Sequence, residues 1–211
     1  MRIILLGVPG SGKGTQAQFI SKRYCLPKIS TGDILRQFIK NDDSLLHKRI
    51  KNAIHNGKLI SDTIVTKIVE NRISKTDCNV GFVLDGFPRT ITQAKIIKKN
   101  KIHIDYVFEF KIPTKIILKR TQGRRIDPIS GKIYNLDDNK YFKNKDHINL
   151  IQRNDDNEKI IKKRLEEHKK FTIPLINYFH TCTTTEKIKF YTIDGTKTIL
   201  NINNEIKNIL D

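Results

Sequence analysis

A chain of 211 residues with 37% hydrophobic composition is long enough to close one substantial core, with room for small subdomains inserted into it. Its formal net charge of +18 would alone favour polyanion partners. The lysines, however, are scattered through helix-like stretches, as in Lys98-Lys99, Lys162-Lys163 and Lys169-Lys170, without interleaved aromatics, which is the pattern of solvated helix faces and argues against a specific nucleic-acid partner.

The apolar run at residues 1–7 is too short for a signal peptide and leads straight into a glycine loop. No stretch is apolar for the width of a bilayer. Cys25, Cys78 and Cys182 are distant and odd in number, which suits neither a disulfide framework nor a paired-thiolate zinc site. A soluble, cytoplasmic protein is expected.

In chain order, Arg2 to Leu6 reads as a buried parallel strand, ended by glycines and followed by a helix from Thr15 to Lys22, with Ala17, Phe19 and Ile20 supplying apolar positions. A faint strand at Lys28 to Ser30 precedes a helical interval from Thr31 to Ser61. There Ile34, Leu35, Phe38 and Ile39 share one face, Asn41-Asp42-Asp43 breaks the run, and Asn56-Gly57 ends it. A second strand-turn-helix unit runs from Gly81 to Leu84 through Asp85-Gly86-Phe87-Pro88 into a helix from about Thr90. Further strands are expected at Tyr106 to Phe110 and Lys189 to Ile193. Strands separated by helical crossovers imply an α/β fold whose ligands bind at the carboxyl edge of the sheet. The interval 123–156 is instead rich in turn formers, among them Asp127-Pro128, Gly131, Asp137-Asp138-Asn139 and Asn144, and reads as a small loop-and-hairpin cover. The intervals 31–60 and 123–156 are therefore expected to be subdomains of one domain spanning 1–211.

The most specific signal is Gly7-Val8-Pro9-Gly10-Ser11-Gly12-Lys13-Gly14-Thr15, between a strand and a helix. Glycines let successive backbone N–H groups face an anion, the helix start adds its positive end, and Lys13 reaches β- and γ-phosphates. Gly14 stands where the general motif has a serine or threonine for magnesium. The metal is thus expected to be held by nucleotide phosphates and water, with Thr15 and a nearby carboxylate. Asp85 is the first candidate, provided its strand neighbours the first one, and Asp33, acting through water, the second.

Phosphoryl transfer between two phosphates needs positioning and charge compensation more than a base. Arg36 and Arg89 on the acceptor side, and Arg120, Arg124, Arg153 and Arg164 on the donor side or in the cover, are the candidates. Each alone would more often be a surface residue. The chain uses lysine for most of its positive charge yet places these arginines beside turns and inserted segments, where a rigid fork suits bidentate phosphate contacts.

Seven segments together resemble adenylate kinases: RIILLGVPGSGKGTQA at 2–17, ISTGDILR at 29–36, GKLISD at 57–62, GFVLDGFPRTITQA at 81–94, QGRRIDPISGKIY at 122–134, RNDD at 153–156 and DGTK at 194–197. The resemblance implies a P-loop nucleoside monophosphate kinase fold. That fold has a five-stranded parallel sheet flanked by helices, a monophosphate-binding insertion and a lid. It also implies magnesium-dependent interconversion of ATP plus AMP with two ADP by a monomer.

By the same resemblance, Gly10, Ser11, Gly12, Lys13, Gly14 and Thr15 bind donor phosphates, with Arg120, Arg124, Tyr134 and Lys197 also on the ATP side. Thr31, Arg36, Lys58, Ile60, Gly86, Arg89, Gln93, Arg153 and Arg164 surround AMP, with Thr31 and Gln93 placed for adenine selection. Lys13, Arg36, Arg89, Arg124, Arg153 and Arg164 carry the transfer, and Asp155 and Asp156 pair with arginines. The lid departs from the family pattern. Asn135-Leu136-Asp137-Asp138-Asn139 replaces the histidine and Phe-Asn-Pro-Pro run that usually follows the tyrosine, and the segment is several residues short. It holds no cysteine, so structural zinc is not expected. A kinase for UMP, CMP or GMP, and a nucleotide-dependent RNA-binding or regulatory protein, stay open as alternatives.

Overall fold

The computed structural model describes residues 1–39, 44–129, 133–136, 149–185 and 187–211. The chain begins with β1 (Arg2–Gly7), α1 (Lys13–Tyr24), β2 (Lys28–Ser30), α2 (Thr31–Phe38), α3 (Leu45–His55) and α4 (Asp62–Ile73). It continues with β3 (Phe82–Asp85), α5 (Ile91–Lys99), β4 (Tyr106–Lys111), α6 (Thr114–Gln122) and the strands β5 (Arg124–Ile126) and β6 (Ile133–Asn135). Then α7 (Glu158–Glu167) passes through one π-helical turn, His168–Thr172, into α8 (Ile173–Thr185), followed by β7 (Lys189–Asp194) and α9 (Ile199–Leu210).

Five strands form a parallel sheet in the order β2-β3-β1-β4-β7. β5 and β6 pair antiparallel, with Arg125 opposite Tyr134, and Ile151 bridges to Ile126. The expected strands at the ends of the sheet are thus present, the faint one at Lys28–Ser30 included.

Strand geometry sends alternate side chains to opposite faces, and the sequence is apolar at both parities. Ile4, Leu6, Phe82, Leu84 and Val107 pack on one face against Val65 and Val69 of α4, Ala94 and Ile97 of α5, and Leu175 and Phe179 of α8. Ile3, Leu5, Val83, Phe108 and Phe110 pack on the other against Ala17 and Ile20 of α1 and Ile202 and Ile206 of α9. Each such aliphatic or aromatic side chain contributes about 1.5–3 kcal/mol relative to exposure. A smaller cluster, Ile117 with Ile161 and Leu165, joins α6 to α7 beside the glycine loop.

The helical interval after Thr31 is two helices with different starts. Ser30 caps α2 by accepting from the Asp33 N–H at 3.3 Å, and Ser44 caps α3 by accepting from the His47 N–H at 3.4 Å. The proposed break at Asn41-Asp42-Asp43 lies outside the described residues, as do Gly131, Asp137-Asp138-Asn139 and Asn144 of the cover. α1 begins at Lys13, earlier than the expected Thr15, because Gly12 in a left-handed conformation, φ 98°, already supplies its N-cap. No helix among the described residues is long and apolar enough to cross a membrane.

Candidate active site

The glycine loop turns over the carboxyl end of β1. Gly7, Gly10 and Gly12 take φ of 139°, 79° and 98°, values that glycine alone adopts without strain. A Cβ on Gly7 would stand 2.7 Å from the Phe110 carbonyl oxygen, and one on Gly10 2.8 Å from Thr121 Cγ2, while Gly12 faces open space. The first two therefore seat the loop on β4 and α6. The third leaves a clear approach to the first turn of α1, which no side chain caps, so its N–H groups and positive end are available to an anion.

Ser11 is wholly buried. Lys13 donates through Nζ to the carbonyls of Gly7 at 2.7 Å and Val8 at 2.6 Å. Burial lowers its pKa to about 8, with Asp85 opposing and Arg89 and Arg124 adding to the shift. Asp85 sits in register with Leu5 of β1, which makes the two strands neighbours and brings its carboxylate to the glycine loop. Oδ2 lies 3.4 Å from where a Gly14 Cβ would be. Thr15 is half-buried in the first turn of α1.

Five arginines converge on the same edge, and three carboxylates tie four of them. Asp33 accepts from Arg36 Nη2 at 2.5 Å and lies 3.5 Å from Arg153 Nη2 and 3.6 Å from Lys28 Nζ. Burial pushes Asp33 up, but Arg36, Lys28 and Arg153 outweigh it and hold its pKa at about 2. Asp155 is buried, bonded to Arg164 and 3.8 Å from Arg36 Nη1. The two guanidiniums outweigh its burial and keep it below the ordinary carboxylate range. Asp156, also buried, takes Arg124 in a two-pronged contact, Nε to Oδ2 at 2.7 Å.

Arg89 has no carboxylate partner among the described residues. Its Nε donates to the Gly86 carbonyl at 2.8 Å, and although the side chain is open to solvent, desolvation by the surrounding cleft, reinforced by Arg164, lowers its pKa to about 10. Arg153 is likewise lowered to about 10 by burial and by Arg36 and Arg124, and its buried Nε has no partner among the described residues. Both stay charged at neutral pH. Cations crowded at this density, with too few carboxylates to balance them, form a site organised for a polyanion.

The flanks differ in how they use their predicted residues. Thr31 donates its hydroxyl to the Gly86 carbonyl at 2.9 Å, and Gly86, φ 81°, admits the Arg89 guanidinium because a Cβ there would stand 2.9 Å from Nη2. Gln93 is only 2% exposed. Ile60 is half-buried against the core and Lys58 is exposed. On the other flank Arg120 Nη1 donates to the Gly195 carbonyl at 2.7 Å, and Tyr134 is half-buried in β6. The Lys197 side chain is turned to Glu205 of α9 at 2.9 Å, so only its backbone shares the Gly195 turn.

The altered cover is anchored by its own residues. Asn135 Nδ2 donates to the Arg120 carbonyl at 3.3 Å and the Leu136 N–H to the Gly123 carbonyl at 2.8 Å, tying the hairpin to the end of α6.

The family model described as adenylate kinase matches residues 5–184. The chain belongs to the adenylate kinase family. An adenylate kinase of Buchnera aphidicola subsp. Baizongia pistaciae is 49% identical to it, over 100% of this chain and 99% of its own length. One from Photorhabdus laumondii subsp. laumondii is 46% identical over 100% of both chains, and one from Buchnera aphidicola subsp. Schizaphis graminum 47% identical over 100% of both.

Two residues of this adenylate kinase escaped the reading of the sequence. His168 opens the π-helical turn with Nε2 buried and, among the described residues, unpartnered. Burial, with Lys13 and Arg89 adding, lowers its pKa to about 4. A histidine between Glu167 and Lys169 carries no local mark of such a place. Asp62 accepts from Thr90 and Gln93. It lies inside the family-like segment GKLISD, but its partners are too distant in sequence for spacing to reveal.

Proposed function

We propose that this enzyme transfers a phosphoryl group reversibly from ATP to AMP, giving two ADP, as a monomer in the cytoplasm. The observation that carries the reading is the convergence of Lys13, Arg36, Arg89, Arg124, Arg153 and Arg164 on one edge of the sheet. The acceptor phosphate is already anionic, so no base is required.

Gly10 to Thr15 with Lys13 hold the donor phosphates through backbone N–H groups and the ammonium. Arg120 and the Gly195 to Lys197 turn wall the donor base, while Tyr134 and Arg124 approach from the cover. Arg36 and Arg89 fix the acceptor phosphate, with Thr31, Lys58, Ile60, Gly86 and Gln93 around the rest of AMP. Arg153 and Arg164 follow the charge that develops between the two phosphates. Asp33, Asp155 and Asp156 keep these forks aimed before substrate arrives, which lowers the reorganisation left for the reaction.

Magnesium, when bound with the nucleotide, supplies charge neutralisation of the β- and γ-phosphates. Asp85 would hold that ion, directly or through its water. Its carboxylate is half-buried beside the glycine loop and has no ion-pair partner among the described residues, whereas Asp33 is engaged by three cations. No cluster of three or more potential metal-ligating side chains occurs among the described residues, which suits a metal held chiefly by phosphates and water.

The test is magnesium-dependent transfer from ATP to AMP, GMP, CMP and UMP, with Lys13→Ala as control. ADP formation with AMP, reduced by about a hundredfold or more in the control, is expected. Faster transfer to another monophosphate, or undiminished rate in Lys13→Ala, would refute the proposal.

A further inference from the structure

Asp62 opens α4 and faces the start of α5, 28 residues further along at Thr90. Its Oδ2 accepts from the Thr90 hydroxyl at 2.9 Å and its Oδ1 from Gln93 Nε2 at 2.7 Å. The other end of the same carboxamide, Gln93 Oε1, accepts from the Arg89 N–H at 2.7 Å. Thr90 in turn caps α5 by accepting from the Gln93 N–H at 3.2 Å. Gln93 and Thr90 are both buried, so water does not compete for these bonds.

The two ends of a carboxamide are ordinarily hard to tell apart. Here the partners discriminate. An ionised carboxylate only accepts and a backbone N–H only donates, so Nε2 must face Asp62 and Oε1 must face Arg89. Reversing the amide would set oxygen against carboxylate and N–H against N–H, leaving buried groups in repulsion. One N–H and one oxygen lone pair of Gln93 then remain for a ligand, in fixed order.

We infer that Asp62 is a specificity-determining positioning residue, which sets the polarity of the Gln93 carboxamide and thereby makes the acceptor pocket select 6-amino over 6-oxo purine monophosphates. The inference rests on the reading above that Gln93 meets the base of AMP. A fixed acceptor beside a fixed donor matches the amino group and adjacent ring nitrogen of adenine. The oxo group and ring N–H of hypoxanthine or guanine present the opposite order. Cytosine shares adenine's order and uracil does not, so amide polarity sorts amino from oxo bases, while pocket size sorts purine from pyrimidine.

IMP is the informative probe because it differs from AMP only at this edge. In wild type the ratio of kcat/KM for AMP to that for IMP is expected to be large. In Asp62→Asn the partner can donate or accept, one of the two constraints is removed, and the ratio falls by about tenfold, through KM of the two acceptors, with kcat for AMP little changed. Thr90→Val removes the other contact to Asp62 and leaves the ratio intact. An unchanged ratio in Asp62→Asn, or equal losses for both acceptors, combined with a collapsed ratio in Gln93→Ala, overturns the assignment to Asp62 while the base-contact reading stands. An unchanged ratio in Gln93→Ala defeats that reading, and this inference with it. Should Asp62→Asn fail to fold, the wild-type enzyme carries the test. The Gln93 side-chain N–H resonances, identified by their loss in Gln93→Ala, are expected to exchange slowly with solvent, and rapid exchange overturns the proposal.

Discussion

Lys13 is held by carbonyl oxygens of its own loop and surrounded by arginines, so its charge is kept under tension. With its pKa lowered to about 8 by burial, against Asp85 and with Arg89 and Arg124, the ammonium is present below that pH and is lost above it. KM for ATP is therefore expected to rise as pH passes from about 8 to 10, and a flat profile over that range would show that the lysine keeps its proton. For folding the sign is separate. The folded state binds fewer protons than the unfolded chain between about 8 and the ordinary 10.5, so this lysine contributes stability that increases with pH across that window. His168 acts in the same sense at lower pH. It is neutral in the fold down to about 4 while the unfolded chain protonates near 6.5, so stability falls as pH drops between those values. His168→Gln is expected to flatten the decline of Tm from pH 6.5 to 4. Asp33, at about 2 against 3.8, adds a separate loss only below that range. An identical decline in the variant would assign the acid sensitivity elsewhere.

Among the elements, the turns that lead into β3 and into α1 impose demands of different kinds. Gly81, φ 127°, precedes β3, and a Cβ there would fall inside contact distance of the Met1 backbone. Gly81→Ala thus combines left-handed strain of about 1–2 kcal/mol with an overpacking cost of about 1–3 kcal/mol. Gly12, φ 98°, has open space where its Cβ would go, so Gly12→Ala should cost only the strain and lose activity out of proportion, since its methyl would occupy the approach to the first turn of α1. Urea denaturation of the two variants checks the order, and a larger loss of stability at Gly12 would reverse it. The π-helical turn between α7 and α8 illustrates an element that periodicity does not announce. It places Thr172 where its hydroxyl donates to the Arg89 carbonyl at 3.3 Å, and its local mark in the sequence is Pro174, which has no N–H to give the carbonyl four residues before it and so breaks the α-helical ladder there.

At the scale of the whole molecule, the cover is held at its base by a few polar contacts. The Asn135 and Leu136 contacts at α6 fix one end of the hairpin, while Arg124 is bound to Asp156 next to the RNDD turn. A polyanion arriving among the arginines offers Arg124 and Arg153 new partners and would draw the hairpin inward, excluding water from the transfer. Cys25 is exposed, Cys78 and Cys182 are buried, and Ile129 is exposed, so dyes on Cys25 and on Ile129→Cys can report the distance from core to cover. ATP together with AMP is expected to shorten it more than either alone. An unchanged distance would mean that the site closes by other means or not at all.

Apolar runs bounded by glycine, asparagine and proline were enough to place the central strands, because a strand buried on both faces is apolar at nearly every position; Glu109 of β4 is buried with a Thr192 hydroxyl donating to it at 3.2 Å. The glycine loop was equally plain, since Gly7, Gly10 and Gly12 meet conformational demands local to the chain. The sequence also named the arginines and, in Asp155 and Asp156, two of the carboxylates that pair with them, through its family-like segments, while Asp33 was expected at magnesium-bound water and not at arginines. Local pattern could not say that Asp85 and Lys13 are neighbours, that Arg153 joins Arg36 at Asp33, that His168 lies near Lys13, or that Asp62 holds Gln93. These depend on strand order and on how α4, α5 and the π-helical turn pack across the sheet. Secondary structure is written in spacing over a few residues, whereas polar contacts between residues about 30 to 155 positions apart exist only once the hydrophobic core has brought their elements together.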